Sequence, residues 1–509
     1  MKKIISTENL AKIVSKLKNK GKKVVLCHGV FDLLHIGHIN HFKEAKKLGD
    51  ILVVTVTQDK FVNKGPNRPI FSLSTRMESI AALKDIDYVA PNIFSNAIQL
   101  IKMLKPNIYC KGKDYKNYNL DTTNQIKKEA LAIKSVGGKI IHTVTELFSS
   151  SKIINQTNLN LSNQQKSFIN KIKKDKNFNT DNKILNTINS FSNLKVLVIG
   201  ETIIDEYVFC EALGKSGKEP ILVLRDMYKE RYLGGTAAIA KNLSSFCKQI
   251  TLLTNIGQNN EEKQFIKKHL QKNVNTFFLN KKKSPTIIKK RFIEHINKTK
   301  VFGVYSLNDQ PLIKEQERIF NSTIIKKIKN YDLVIVSDYG HGLISDKTAK
   351  LIIKKSKFVA VNTQLNSSNL GFHVISKYIG ANLITINETE MRHELRNKTE
   401  NTVPLIKILS KKVKSKYIHV TSGEEGSNIY NKSTNELISC PAFANKVIDK
   451  VGTGDSMLSM LAISLFKKFD VKFSMFLSAL VAAQNIQNMA NKIPINKINI
   501  TRALQSYLK

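Results

Sequence analysis

Two short stretches carry residue types that can do phosphate chemistry. The first is His35-Ile36-Gly37-His38, between an apolar run ending at Gly29 and an amphipathic stretch ending at Asp50. Two imidazoles at a strand-to-helix turn can donate hydrogen bonds to phosphate oxygens as charge builds in a transition state. A helix start adds unsatisfied N–H groups and partial positive charge, and Gly37 lets the backbone approach a ligand closely. The second is Gly452-Thr453-Gly454-Asp455, which opens an apolar helical pattern. Successive N–H groups there make an anion cradle, and the carboxylate beside it can take a proton from a substrate hydroxyl. Taken alone, the first stretch also reads as a turn with surface histidines and the second as a helix cap, so the surroundings must decide.

Around the first stretch, Gly29–Asp50 resembles the nucleotidyltransferase signature G-x-F-D-x-x-H-x-G-H. With Arg68–Val89, Lys105–Lys116 and Glu146–Asn155, residues 21–155 resemble the nucleotidyltransferase domain of bifunctional heptose 7-phosphate kinase/heptose 1-phosphate adenylyltransferases. Glycerol-3-phosphate cytidylyltransferases are a looser match. The resemblance implies a Rossmann-like sheet in which His35 and His38 contact a nucleoside triphosphate. Gly29, Val30 and Phe31 would line the phosphate and base, and Asp32 would orient the loop. Lys46, Arg76 and Lys113 would reach the nucleotide, although each lysine alone reads equally as a solvated side chain. Ser150 and Ser151 would close over the phosphates. The implied reaction is in-line attack of a sugar phosphate oxygen on the α-phosphorus, with pyrophosphate leaving. Mg²⁺ is the implied cofactor, and ATP the donor, with CTP an alternative.

Around the second stretch, Tyr232–Leu243, Ser337–Ile344, Ile386–Leu395 and Val420–Tyr430 resemble motifs of ribokinase-like (PfkB) carbohydrate kinases, over residues 194–509. The resemblance makes Asp455 the general base and Gly452, Thr453 and Gly454 the anion hole. Asn387 and Glu390 would help position Mg²⁺ indirectly, and Thr421, Gly423 and Gly426 would lie along ATP. Asp205, Gly234, Gly235 and Asp338 would hold the sugar, with Asp338 reading equally as a strand-end cap. A monovalent cation is a further candidate. Ala238 stands where the family carries Asn, and Gln364 where it carries Lys, so the sugar and the kinase activity are both open. The heptose enzymes place the kinase first, so the domain order here is reversed.

Elements must hold these residues in place. Strand and helix signals alternate twice, which predicts two α/β domains with parallel sheets: residues 1–155, then an Asn- and Lys-rich linker over 156–193 with room for a short helix, then 194–509. The 509 residues are too many for one ordinary core, and 42% hydrophobic content suffices for two. The five cysteines lie far apart, with no C-x-x-C pair, which argues against a zinc site or a disulfide framework and fits a reducing compartment. No apolar run reaches membrane length, and the basic start lacks the apolar block of a signal peptide, so a cytoplasmic location is expected. The net charge of +41 is spread along the chain, and only nine of 81 basic residues are Arg. Nucleic-acid sites favour Arg forks and aromatic platforms, so neither a nucleic-acid nor a membrane partner is expected. A homo-oligomer is.

The combined expectation is an enzyme that phosphorylates a sugar and joins a sugar 1-phosphate to a nucleotide. Its product would be an activated NDP-sugar, of the ADP-heptose kind, for surface polysaccharide. The alternative is a cytidylyltransferase for a polyol or sugar phosphate, with an inert kinase-like half that binds sugar or dimerises.

Overall fold

A computed structural model describes residues 3–62, 68–113, 125–144, 161–175, 178, 180–366, 369–370, 374–444 and 447–508. They divide into two units, 1–161 with 501–509, and 162–500. Among the described residues no helix is long and apolar enough to cross a membrane.

In the N-terminal unit five strands pair in parallel: β1 (Val24–Gly29), β2 (Ile51–Thr57), β3 (Tyr88–Asn92), β4 (Ile108–Lys111) and β5 (Lys139–His142). Their order is β3-β2-β1-β4-β5. β1 and β2 are almost wholly apolar because helices cover both faces. Leu10 and Val14 of α1 (Thr7–Asn19) pack on one face with Leu100 and Ile101 of α4 (Ala97–Leu104). Phe42 and Ala45 of α2 (Ile36–Lys46) pack on the other with Ile80 of α3 (Leu73–Ala81). The order reverses between β1 and β4, and the crevice outside the C-terminal ends of such strands is where open α/β sheets bind ligands. The His35–His38 turn follows β1 at that end.

The C-terminal unit holds two sheets. The larger contains β6 (Lys195–Gly200), β9 (Gln249–Ile256), β10 (Val274–Asn280), β13 (Leu333–Asp338), β14 (Val359–Thr363), β15 (Leu383–Asn387), β16 (Tyr417–Thr421), β17 (Ser427–Asn431) and β18 (Glu436–Cys440). The order is β10-β9-β6-β13-β14-β15-β16-β17-β18, parallel except that β17 runs antiparallel to both its neighbours. The smaller sheet, ordered β12-β11-β7-β8, contains β7 (Thr202–Lys215), β8 (Leu222–Gly234), β11 (Ile287–Glu294) and β12 (Lys300–Ser306). The expected α/β architecture of both halves is present.

The stretch expected to be a linker is different. The helices Asn163–Lys173 and Asp181–Asn189 bury Phe168, Ile169, Ile172, Ile184 and Ile188. Phe178 stacks on Phe473 at 3.8 Å, and Gln165 Nε2 donates to the Ala442 carbonyl at 2.6 Å. The Asn and Lys content hid an apolar stripe at helical spacing, so the packed C-terminal unit starts near Ser162.

Candidate active sites

In the N-terminal unit, Gly29 ends β1, and Val30, Phe31 and Asp32 lead into the turn. His35 is the N-cap of α2, and its Nδ1 accepts the Gly37 N–H at 3.1 Å. That bond places the lone pair on Nδ1, so in the neutral ring the proton sits on Nε2. Burial holds the His35 pKa below its ordinary value, which favours the neutral ring. Nε2 is buried without a hydrogen-bond partner among the described residues. His35 thus holds out an N–H donor at a helix start with no protein acceptor, which fits an anion. His38 stacks against it at 3.9 Å, and Phe31 braces His38 edge-on at 5.3 Å.

Asp32 accepts from the Ile70 and Phe71 N–H groups at 2.7 and 3.1 Å and pairs with Arg68. Two expectations need correction. Arg76 is buried, and its guanidinium is occupied by the carbonyls of Phe71, Val30 and Thr57 and by Asp59. It clamps the loop from beneath instead of reaching phosphate. Lys46 lies ten residues beyond Ile36, about 15 Å along the helix, where it pairs with Asp87 at 2.6 Å and bonds the Asp50 carbonyl. Lys113 is exposed just past β4. Ser150 and Ser151 lie outside the described residues. The sequence analysis missed Lys111, the buried cation that ends β4 and pairs with Glu129 at 3.2 Å.

In the C-terminal unit a cleft of about 1550 Å³ brings together most of the expected residues. One drug-sized ligand takes roughly 300–1,000 Å³, so there is room for two substrates. Asp455 sits in the first turn of the helix Thr453–Phe466. Tyr339 Oη donates to its carboxylate, 2.8 and 2.9 Å from the two oxygens, and Ser337 Oγ lies at 3.4 Å. Burial, and then the Asp205 charge, push the Asp455 pKa to about 7 against these hydrogen bonds. Gly452 caps the helix at φ +79°, where a Cβ would also meet Asn491 Oδ1 at 2.3 Å. Thr453 Oγ1 is buried with no hydrogen-bond partner among the described residues, and a Cβ on Gly454 would meet nothing within 4 Å. An open cradle with an unanswered hydroxyl suits a phosphoryl group.

The smaller sheet supplies charge. Asp205 on β7 pairs with Arg291 on β11 at 2.5 Å. Gly234 must lack a side chain, because a Cβ would lie 2.2 Å from Asp205 Oδ2. Gly235, Lys289 and Lys300 also line the cleft. Thr421, Gly423 and Gly426 line it from the β16–β17 turn. Asn387 and Glu390 form a reciprocal cap at 2.8 and 2.9 Å, and burial first, with Asp455 contributing, pushes the Glu390 pKa to about 7. Asp338 ends β13 and accepts the Gly340 N–H at 3.1 Å, the contact of a strand-end cap. It is buried and absent from the cleft lining, held by Tyr378 Oη at 2.6 Å and by Lys377. Ala238 is buried, while Gln364 lines the cleft.

Sequence reasoning missed Lys289 and Arg291, Tyr339 and Asp449. The first two belong to a run of three cations, Lys289-Lys290-Arg291, in β11, so the sequence alone does not say which of them face the cleft. Asp449 accepts from Tyr207 Oη and Lys300 Nζ, both at 2.7 Å, and from Val451 N at 3.1 Å, so it fastens the start of the cradle turn.

Residues 193–498 match the family model for pfkB carbohydrate kinases. The chain belongs to the pfkB carbohydrate kinase family. Residues 26–156 match the cytidylyltransferase-like family, so a carbohydrate-kinase domain follows a nucleotidyltransferase-like domain. Bifunctional protein HldE of Campylobacter jejuni strain RM1221 is 29% identical over 280 residues, 54% of this chain and 58% of that protein. Bifunctional protein HldE of Nitrosococcus oceani is 41% identical over 154 residues, 30% of this chain and 31% of that protein. This chain thus spans less than two thirds of the curated relatives it matches. Phosphofructokinase-2 from Escherichia coli, solved with potassium, shares the fold: TM-score 0.50 and 13% identity over 62% of this chain and 99% of that one.

Proposed function

We propose that the C-terminal unit phosphorylates a sugar that already carries a phosphate, and that the N-terminal unit joins a sugar 1-phosphate to a nucleotide. The product is an activated NDP-sugar of the ADP-heptose kind for surface polysaccharide. The observation that carries the kinase reading is Asp455, held by Tyr339 beside an open N–H cradle. A carboxylate with its pKa near 7 is matched to accept a proton from a sugar hydroxyl at neutral pH. The backbone at 452–454 and the Thr453 hydroxyl hold the transferring group. Lys289, Arg291 and Lys300 give the cleft a cationic lining that suits an acceptor phosphate. Asp205 and the Gly234 backbone position the sugar.

The hard oxygens of Glu390 and Asn387 suit a hydrated Mg²⁺, which when bound neutralises charge on the phosphates. In the N-terminal unit, the neutral His35 donates Nε2–H to the nucleotide phosphates, and His38 is positioned to stabilise charge on the transferring group. The sharing of two domain types with relatives named bifunctional supports one chain with both reactions. The test is to incubate the full chain with ATP or CTP and a panel of sugar phosphates, following ADP formation and pyrophosphate release separately. Turnover with neither set of substrates would remove the proposal.

A further inference from the structure

β1 and β4 lie side by side, in parallel register, with Cys27 opposite Cys110. Opposed residues on neighbouring strands send their side chains to the same face. α2 covers that face, and both thiols are buried to 1% exposure or less, in one apolar cluster with Phe42 and Ala45 of α2. His41 precedes Phe42. The two sulfurs and a ring nitrogen of His41 all lie within 4.8 Å of one another. Nothing in the nucleotidyl transfer described above uses these three groups.

The imidazole is prepared as a ligand. His41 Nδ1 lies 2.9 Å from Thr143 Oγ1, and Thr143 Oγ1 donates in turn to the Lys111 carbonyl at 3.4 Å. With the ring proton on Nδ1, His41 donates to Thr143 and carries its lone pair on Nε2. A neutral imidazole anchored through one N–H, with a lone pair on the other nitrogen, is the usual state of a metal-bound histidine.

We propose that Cys27, Cys110 and His41 bind one zinc ion. Two thiols and an imidazole are the donor set of a borderline-soft cation, not of Mg²⁺. Binding releases two protons, one from each thiol, and the resulting dithiolate site is electrically neutral, which lowers its cost in an apolar core. A zinc–sulfur length near 2.3 Å places tetrahedral sulfurs about 3.8 Å apart, inside the 4.8 Å within which the two thiols lie. Water completes the fourth position. His41 stands three residues after His38 on α2, so the ion fastens the helix that carries both catalytic imidazoles to β1 and β4, where the sheet order reverses. These three residues position the helix and do not touch substrate.

The test uses the full chain, reduced, stripped with chelator and titrated anaerobically with Co²⁺. The expected result is a thiolate-to-cobalt charge-transfer band with tetrahedral ligand-field bands, saturating at one ion per chain and erased by Zn²⁺. Cys110→Ser and His41→Gln each weaken binding by more than the roughly 10–100-fold that loss of an outer-shell partner costs, and Thr143→Val weakens it within that range. Cys440→Ser leaves the spectrum intact. Cobalt uptake without the charge-transfer band overturns the proposal, as does a band that survives in both Cys27→Ser and Cys110→Ser. So does a Cys27–Cys110 disulfide in the purified protein that yields, once reduced, no cobalt binding.

Discussion

Replacing Tyr339 by phenylalanine should move the acid limb of the kinase pH profile upward. Tyr339 Oη lies 2.8 and 2.9 Å from the two Asp455 oxygens, and burial raises the phenol's own pKa, so it keeps its proton and donates. It has one proton to give, equivalent to one hydrogen bond to a charged acceptor, about 1.5–3 kcal/mol net. At 1.36 kcal/mol per unit, losing it raises the Asp455 pKa by about one to two units from its value of about 7. The sign follows from which form is favoured: the donor stabilises the carboxylate, so its removal favours the protonated acid, which cannot accept the substrate's proton. Activity at pH 7 should fall roughly 5- to 50-fold, while the alkaline plateau stays near wild type. The assay is kcat/KM for ATP-dependent sugar phosphorylation by the full chain, from pH about 5 to about 10. A limb that stays near 7 or moves down refutes the reasoning. So does an equal loss at every pH, which would make Tyr339 a packing residue only.

His38→Ala should lower kcat for pyrophosphate release by about 10²-fold with little change in the nucleotide KM, the scale of losing one preorganised donor. Lys46→Met should leave that reaction within about threefold and cost at most about 1 kcal/mol of stability, because Lys46 holds a half-exposed ion pair with Asp87; a large kcat loss would return it to the site. Phe178→Ala should destabilise the kinase unit by about 3 kcal/mol in denaturant unfolding, since it deletes a ring stacked on Phe473; a change within error would restore the linker reading.

Both parallel sheets were legible because their strands are near-continuous apolar runs between helical patterns, and both glycine turns were legible because backbone close to phosphate demands small residues. Single cations were less so. Lys46, Arg76 and Lys111 all lie on the chain near the expected nucleotide, yet only tertiary pairing decides which is spent on Asp87, on loop carbonyls or on Glu129. Asp338 and Asp455 each flank a glycine turn, and what each carboxylate bonds is set by distant partners, Tyr378 and Tyr339. The helices at 163–173 and 181–189 were hidden because each stripe is only a few residues wide amid Asn and Lys. Lys289 and Arg291 were masked by Lys290 between them, because three successive cations carry no alternation that marks one face.

The central claim is that two separate sites in one chain perform two phosphate chemistries. Phosphorus-31 NMR of the full chain with ATP, Mg²⁺ and a panel of sugar phosphates, with reactions run to partial conversion, reads both at once, because ADP and pyrophosphate give distinct signals. Wild type should form both, Asp455→Asn should lose ADP formation alone, and His38→Ala should lose pyrophosphate formation alone. A wild type that forms only one product, or a single substitution that silences both reactions in folded protein, would contradict that claim.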